Sequence, residues 1–418
     1  MFSDDLVLNI FYYTATLVLI VKVFLLTHNI KHIQKYANAV PTKFKEAITL
    51  AEHNKAAHYS QTKLKFKLFI TFYHYLLLLL WLPFGGLKIL DQFIQGLDQS
   101  ENISGLIFFG FYLLISIFLS LPESIYTTFF IEDRFGFNKT TPKIFITDQL
   151  KQVLLTVTLM TPILYTIFIF IEHFSQTWWL YSWISLVGFQ FFLIWAYPKF
   201  ISPLFNKFTP LKDEDLTKKV EELSLKTKIQ FKDYYVMNAS LRSSHGNAYF
   251  TGFGNNKRIV FFDTLLKSLT NNEVVAVLAH ELGHLKEKHI LKSMCTSVLS
   301  LGIGFYILFL GYSSQSLYSI FSLEKSKYIA IILFTFLIPQ LTYFLTPIMS
   351  WLSRRNEYAA DKFSVKYSSG DDLISALIKM YKDNSNSLTP SPLFTKFYNS
   401  HPPAIERVRY IESIGSNN

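Results

Sequence analysis

Seven stretches of this 418-residue chain are long and apolar enough to cross a bilayer as helices, and no other feature limits its fold so strongly. One crossing takes about 20 apolar residues. The stretches run approximately over Leu6–Leu26, Leu68–Leu90, Ser104–Leu121, Val153–Ile171, Trp178–Tyr197, Ser293–Tyr312 and Tyr328–Ser350. The first follows an acidic start at Asp4 and Asp5, with no basic leader and no small-residue cleavage site. It is expected to remain as a membrane helix rather than be removed as a signal peptide. Lys22 lies inside this stretch near one end, where its stem can snorkel, and it is given no function. Composition agrees with a membrane protein: charged residues are only 17% of the chain, below the roughly 25% usual in soluble domains. A hydrophobic fraction of 50% excludes disorder, and a lone cysteine excludes a disulfide scaffold.

The net charge of +10 could point to nucleic acid, so its distribution matters. Residues 27–67 carry eight Lys and Arg and 122–152 carry four, whereas 91–103 and 172–177 carry none and 313–326 only Lys325. Alternate connections are basic, which predicts the N-terminus outside and 27–67, 122–152, 198–292 and 351–418 in the cytoplasm. The excess charge is thereby explained without nucleic acid, and no basic stripe with interleaved aromatics suggests otherwise. Four regions follow: 1–197 with five spans, a folded segment 198–292, two spans in 293–350, and a C-terminal segment 351–418. The two folded segments are each small for an independent domain and are expected to pack as one cap. Within the first, Leu211–Thr227 reads as an amphipathic helix, and Phe231–Met237, Tyr249–Gly252 and Arg258–Phe262 read as strands.

His280-Glu281-Leu282-Gly283-His284 is the most informative window. Thr270 and Glu273 form a capping box ahead of an apolar face of Val274, Val277, Leu278 and Leu282, so the window is helical. Four residues turn a helix by about 400°, which puts His280 and His284 on one face, one turn apart, able to hold one metal ion. Glu281 lies about 100° around, beside the metal, where a general base for an activated water belongs. Chance produces this spacing in roughly one chain in a hundred of this size, before a helix is required. A catalytic zinc takes three protein ligands and leaves one position open. The segment Ser353–Asp361 offers Glu357 and Asp361, four apart on a predicted helix. Glu357 can ligate, while Asp361 can accept a hydrogen bond from a ligand imidazole. Taken alone, this carboxylate pair suits a solvated helix face better than a metal site.

With these motifs the chain resembles the CAAX prenyl protease 1 family of integral-membrane zinc endopeptidases. The resemblance covers most of the chain. It includes His280–His284, Ser353–Asp361, Asn247-Ala248-Tyr249-Phe250, Arg258–Leu265, His401-Pro402-Pro403 with Glu406-Arg407, and the loop Glu132–Thr140. It implies a mainly α fold of seven transmembrane helices enclosing a chamber, with a zincin-like cytoplasmic α+β cap. It also implies His280, His284 and Glu357 as ligands of one Zn2+ and Glu281 as base. By the same resemblance, His401 lies beside the reacting carbonyl, and Asn247, Ala248 and Tyr249 lie beside the substrate backbone. A short strand there can hold an extended peptide by strand addition. His245 and His289 are read as structural, and His28, His32, His53, His58 and His74 as solvated or interfacial.

The expected activity is zinc-dependent hydrolysis of peptide bonds near the C-terminus of lipidated (prenylated) or membrane-associated peptides. The expected partners are that substrate and membrane lipid, with neither nucleic acid nor an obligate protein partner. Quality-control proteolysis of membrane proteins is an alternative that the motif does not separate. A heptahelical receptor or transporter is another, opposed by the open ligand pattern and by the lack of paired interrupted spans. Composition rich in Phe, Ile, Lys and Asn and an end without an ER-retention signal favour a bacterial inner membrane, with the ER membrane as the alternative.

Overall fold

The apolar runs form helices that continue well past the apolar residues themselves. The computed structural model describes residues 4–251 and 258–415. Among these, seven helices are long and apolar enough to span a membrane: Leu8–Tyr36, Leu50–Trp81, Glu101–Glu132, Pro142–His173, Trp178–Phe205, His289–Tyr312 and Lys327–Tyr367. Gly252, which was expected to end a strand, lies outside the described residues.

Two expected spans are corrected. The second does not reach Leu90: its helix stops at Trp81, and a separate helix, Gly86–Gln95, follows. Pro83 lacks the amide a continuing helix needs, and Gly85 takes a left-handed φ of 80° that favours glycine. The new helix turns Leu87, Leu90 and Ile94 inward. The seventh span does not end at Ser350. A short 3-10 turn at Tyr343–Leu345 interrupts it after Pro339, and Thr346–Tyr367 then carries it out of the apolar region into the cap. The third-ligand segment is therefore the end of a membrane helix.

The helices pack unevenly. In their most apolar windows the fifth and sixth spans bury only 6% of their residues, so most of their surface faces lipid or an internal space. A cavity of about 940 Å³ lies among the first, second, third and seventh spans. At the end of the bundle away from the cap, Lys327 ties three spans together. Its Nζ lies 2.8 Å from Glu172 and 2.9 Å from Asn102 Oδ1. Beside it Tyr328 donates to Asp91 at 2.6 Å. Such polar groups persist inside a bundle because each has a partner there. His53 corrects another expectation: it is only 1% exposed, with Nε2 against the Tyr36 carbonyl.

The cap holds a four-stranded sheet: β1 (Phe208–Pro210), β2 (Asp233–Met237), β3 (Ala248–Thr251) and β4 (Arg258–Phe262), in the order β1-β2-β4-β3. β3 pairs antiparallel with β4 and forms one edge. Helix Glu214–Thr227 and helix Asn271–Lys286 cover the sheet through Leu216, Val220, Phe261, Val274 and Leu278. Phe363 and Ala376, from the C-terminal segment, belong to the same core. Arg242 clamps this cap to the fourth span with two bonds to Asp148, at 2.8 and 3.0 Å.

Helix Asn271–Lys286 starts at the expected capping box: Thr270 Oγ1 accepts from the Glu273 amide and Glu273 accepts from the Thr270 amide. It crosses Thr346–Tyr367 at Gly283, where an added Cβ would come within 2.8 Å of Ala360 Cα. The obstacle is backbone, which cannot swing aside. Replacing Gly283 with alanine is therefore expected to cost about 1–3 kcal/mol and to lower the melting temperature of the detergent-solubilised protein. An unchanged melting curve would show that the crossing tolerates a methyl group.

Candidate active site

Close crossing at Gly283 sets the polar faces of two helices against each other. Helix Asn271–Lys286 contributes His280 and His284, and Thr346–Tyr367 contributes Glu357 and Asp361. His280 Nε2 and His284 Nε2 lie 3.3 Å apart. Glu357 Oε1 lies 3.3 Å from His284 Nε2, and Oε2 lies 3.5 Å from His280 Nε2. One ligand atom from each of the three lies within 4.8 Å of the others.

Two donors bound tetrahedrally at about 2.0 Å from one ion sit about 3.3 Å apart, close to the separations found here. Glu357 Oε2 is buried without a well-directed hydrogen bond, although His401 Nδ1 lies only 2.7 Å away. The distance satisfies an ion pair but the angle fails a hydrogen bond, so the oxygen keeps a lone pair free. Two imidazoles and a carboxylate that keeps this oxygen orphaned fit a small divalent cation.

The surroundings prepare both imidazoles. Asp361 is fully buried, and its Oδ1 lies 2.8 Å from His280 Nδ1, which leaves Nε2 to face Glu357. Burial and the Arg407 guanidinium lower the pKa of His280, but hydrogen bonds to Asp361 and Glu357 outweigh them and leave it above its ordinary value. A cation at Nε2 would take the place of the proton these carboxylates attract. Arg407 is itself buried, donates from Nε and Nη2 to Asp361, and is held above its ordinary pKa against the effect of burial. On the other side, His284 Nδ1 lies 3.0 Å from Nδ1 of His289, the first residue of the sixth span and only 6% exposed. The sequence reads His289 as structural; its contact with His284, five residues earlier, is hidden there because the chain turns between two helices at Lys288, whose φ is 58°. Arg407, noticed only within a motif, gave no sign of its partner.

Glu281 is half-buried and has no hydrogen-bond or ion-pair partner among the described residues. It shares a cavity of about 600 Å³ with His284, His289, Tyr249, Phe250, Ser353 and Asn356. The other expected substrate contacts divide. Tyr249 lines this cavity, but Ala248 turns into the core beneath the sheet, so only its backbone faces a ligand. Asn247 is exposed, and its Oδ1 accepts from the Ala248 amide. His401 stands at the mouth of the site with a side chain 64% exposed. His245 lies apart, stacked on Phe137 and 3.0 Å from Asn384 Oδ1.

Two helix-borne imidazoles, a carboxylate from a neighbouring helix and a free glutamate, all set on a seven-span bundle, define an integral-membrane metallopeptidase. Comparisons with known proteins agree in both halves. Residues 29–207 match the family described as "CAAX prenyl protease N-terminal, five membrane helices", and residues 210–414 match peptidase family M48. The CAAX prenyl protease 1 homolog of Arabidopsis thaliana is 37% identical over 324 residues, 76% of each chain. That of Caenorhabditis elegans is 31% identical over 92% of this chain and 93% of its own. The crystal structure of S. mikatae Ste24p superposes with a TM-score of 0.92 at 30% identity, covering 99% of this chain and all of that one. The chain belongs to the CAAX prenyl protease 1 family and is a metal-dependent membrane protease. The receptor or transporter alternative falls with that membership.

The buried Asp361–Arg407 pair gives a test of the support around the site. Replacing Arg407 with methionine strands a buried carboxylate and is expected to cost about 3–5 kcal/mol. Adding Asp361→Asn should recover part of that loss in chemical unfolding. Additive losses would show that the two groups do not act as a pair.

Proposed function

We propose that this protein is a zinc endopeptidase that cleaves near the C-terminus of lipidated, in particular prenylated, peptides at the membrane. The observation that carries this reading is the convergence of three donors beside the unpartnered Glu281. In this reading His280, His284 and Glu357 hold the zinc. When bound, zinc supplies Lewis acidity, polarising a substrate carbonyl and acidifying a water. Glu281 would take a proton from the attacking water as its oxygen bonds to the carbonyl carbon, and would return it to the amine nitrogen as the C–N bond breaks. His401 carries an Nε2 with no partner among the described residues, and it donates to the oxygen on which negative charge develops. The free edge of β3 accepts the substrate as an added strand, through backbone at Asn247 and Ala248 and the side chain of Tyr249. Asp361 fixes the tautomer of His280 and His289 that of His284, since a donating Nδ1–H leaves Nε2 to ligate.

The basic loops support a cap on the cytoplasmic side. The same composition keeps a bacterial inner membrane as the favoured location, with the ER membrane as the alternative. Hydrolysis at membrane depth is reasonable because water and unpaired backbone are tolerated there within a protein-lined cavity.

Replacing Glu281 with glutamine should preserve zinc and lower cleavage of a farnesylated CAAX peptide about 100- to 10,000-fold. Undiminished turnover would remove Glu281 as the base. A chelator should abolish cleavage and added zinc restore it, while equal cleavage of an unprenylated control would favour quality-control proteolysis. Replacing His289 with leucine should weaken zinc binding about 10- to 100-fold in a chelator competition, a readout independent of turnover. Unchanged affinity would leave His289 as a packing residue.

A further inference from the structure

The bundle contains two lysines that neither the catalytic site nor a salt bridge uses. Lys22 of the first span and Lys67 of the second line the cavity of about 940 Å³. Neither makes an ion pair or a side-chain hydrogen bond among the described residues. The other ionisable groups there are paired, His74 with Glu123 at 3.2 Å and Lys63 with Glu132 at 3.5 Å. The remaining wall is largely apolar, with Leu78, Trp81 and Phe336 among its residues. Lys22 is half-buried and Lys67 exposed, so with no carboxylate on either both ammoniums are open to an anion in this cavity.

Their position links them to the site. Lys22 Nζ sits 5.2 Å from the centre of the Tyr343 ring and Lys67 Nζ 5.7 Å from that of Tyr398. The two tyrosine hydroxyls are hydrogen-bonded to each other. Tyr398 ends the helix Pro392–Tyr398, and three residues later His401 reaches Glu357. Three residues span at most about 10 Å. The backbones at Tyr398, on the cavity wall, and at His401, beside Glu357, are therefore no farther apart than that.

We propose that Lys22 and Lys67, framed by Tyr343 and Tyr398, form an anion subsite that holds the C-terminal carboxylate of the substrate. This rests on the reading of the protein as a peptidase acting near C-termini. The subsite would favour peptides that present a free C-terminal carboxylate.

The test compares two farnesylated peptides, identical except for a free acid or a carboxamide at the C-terminus. Equilibrium binding is measured to the zinc-loaded full chain carrying Glu281→Gln, in nanodiscs of phosphatidylcholine. The free acid should bind roughly 10- to 100-fold more tightly than the amide, as expected for losing charge-assisted hydrogen bonds. Adding Lys22→Met and Lys67→Met should bring the acid down to the level of the amide and leave the amide unchanged, whereas Lys67→Arg should retain the preference. Thermal melting of each variant reports whether it is folded. Equal binding of acid and amide by the parent, or an acid preference that survives both methionines, would overturn the subsite. So would equal weakening of both peptides. Replacing part of the phosphatidylcholine with phosphatidylserine tests a lipid headgroup as occupant. Competition by that lipid with no acid preference would reassign the lysines to lipid. If the acid preference stands but the enzyme with Glu281 intact cleaves neither peptide, the subsite holds and the substrate reading fails.

Discussion

Everything at the candidate site depends on how closely two helices approach at one glycine. Helix Asn271–Lys286 and the extended seventh span meet at Gly283 and Ala360 with no room for a side chain between them. That contact sets the distance between the imidazole pair and Glu357. A ligand set shared by two helices is only as well placed as the packing between them, and interior packing leaves little slack. The glycine sits inside the His280–His284 motif itself, so the same five residues carry both imidazoles, the free carboxylate and the contact surface.

Around this contact the protein manages a concentration of buried charge. Glu357, Asp361, His280 and Arg407 are all buried within a few ångströms of one another. Buried charges persist when each is paired and hydrogen-bonded. Arg407 neutralises Asp361, Asp361 orients His280, and Glu357 is left with an oxygen that protein donors do not satisfy. The imbalance is confined to the point where a cation fits. A fully satisfied network would be a structural core, and a less satisfied one would cost more than the packing could offset.

The membrane helices contribute more than an anchor. Past its 3-10 turn the seventh span carries Glu357 and Asp361 out of the bundle on helix Thr346–Tyr367, and the sixth begins at His289, against a motif imidazole. Thin packing of the fifth and sixth spans and the cavity beside the first and second leave space inside the bundle next to its packed core of Phe108, Phe168 and Ile329. The edge of the sheet borders the smaller cavity through Tyr249 and Phe250. An extended peptide could thus lie along β3 while apolar parts of it remain within the bundle.

Local patterns in the sequence were sufficient for the spans, the capping box, the helical spacing of His280 and His284, and the strands at 233–237 and 258–262. Each depends on neighbours within one or two turns. Family resemblance, not spacing, singled out Glu357, since a carboxylate pair on a helix has no visible partner until two distant segments are packed. The break at Pro83 and Gly85 was legible but overruled by hydropathy, which averages across a turn. Tertiary structure alone decided that His53 is buried, that Ala248 faces the core, that His289 meets His284 and Arg407 meets Asp361, and that Lys22 looks into a cavity beside Lys67. Those facts depend on which faces meet across long separations in the chain, and periodicity gives the faces of a helix without saying what lies opposite.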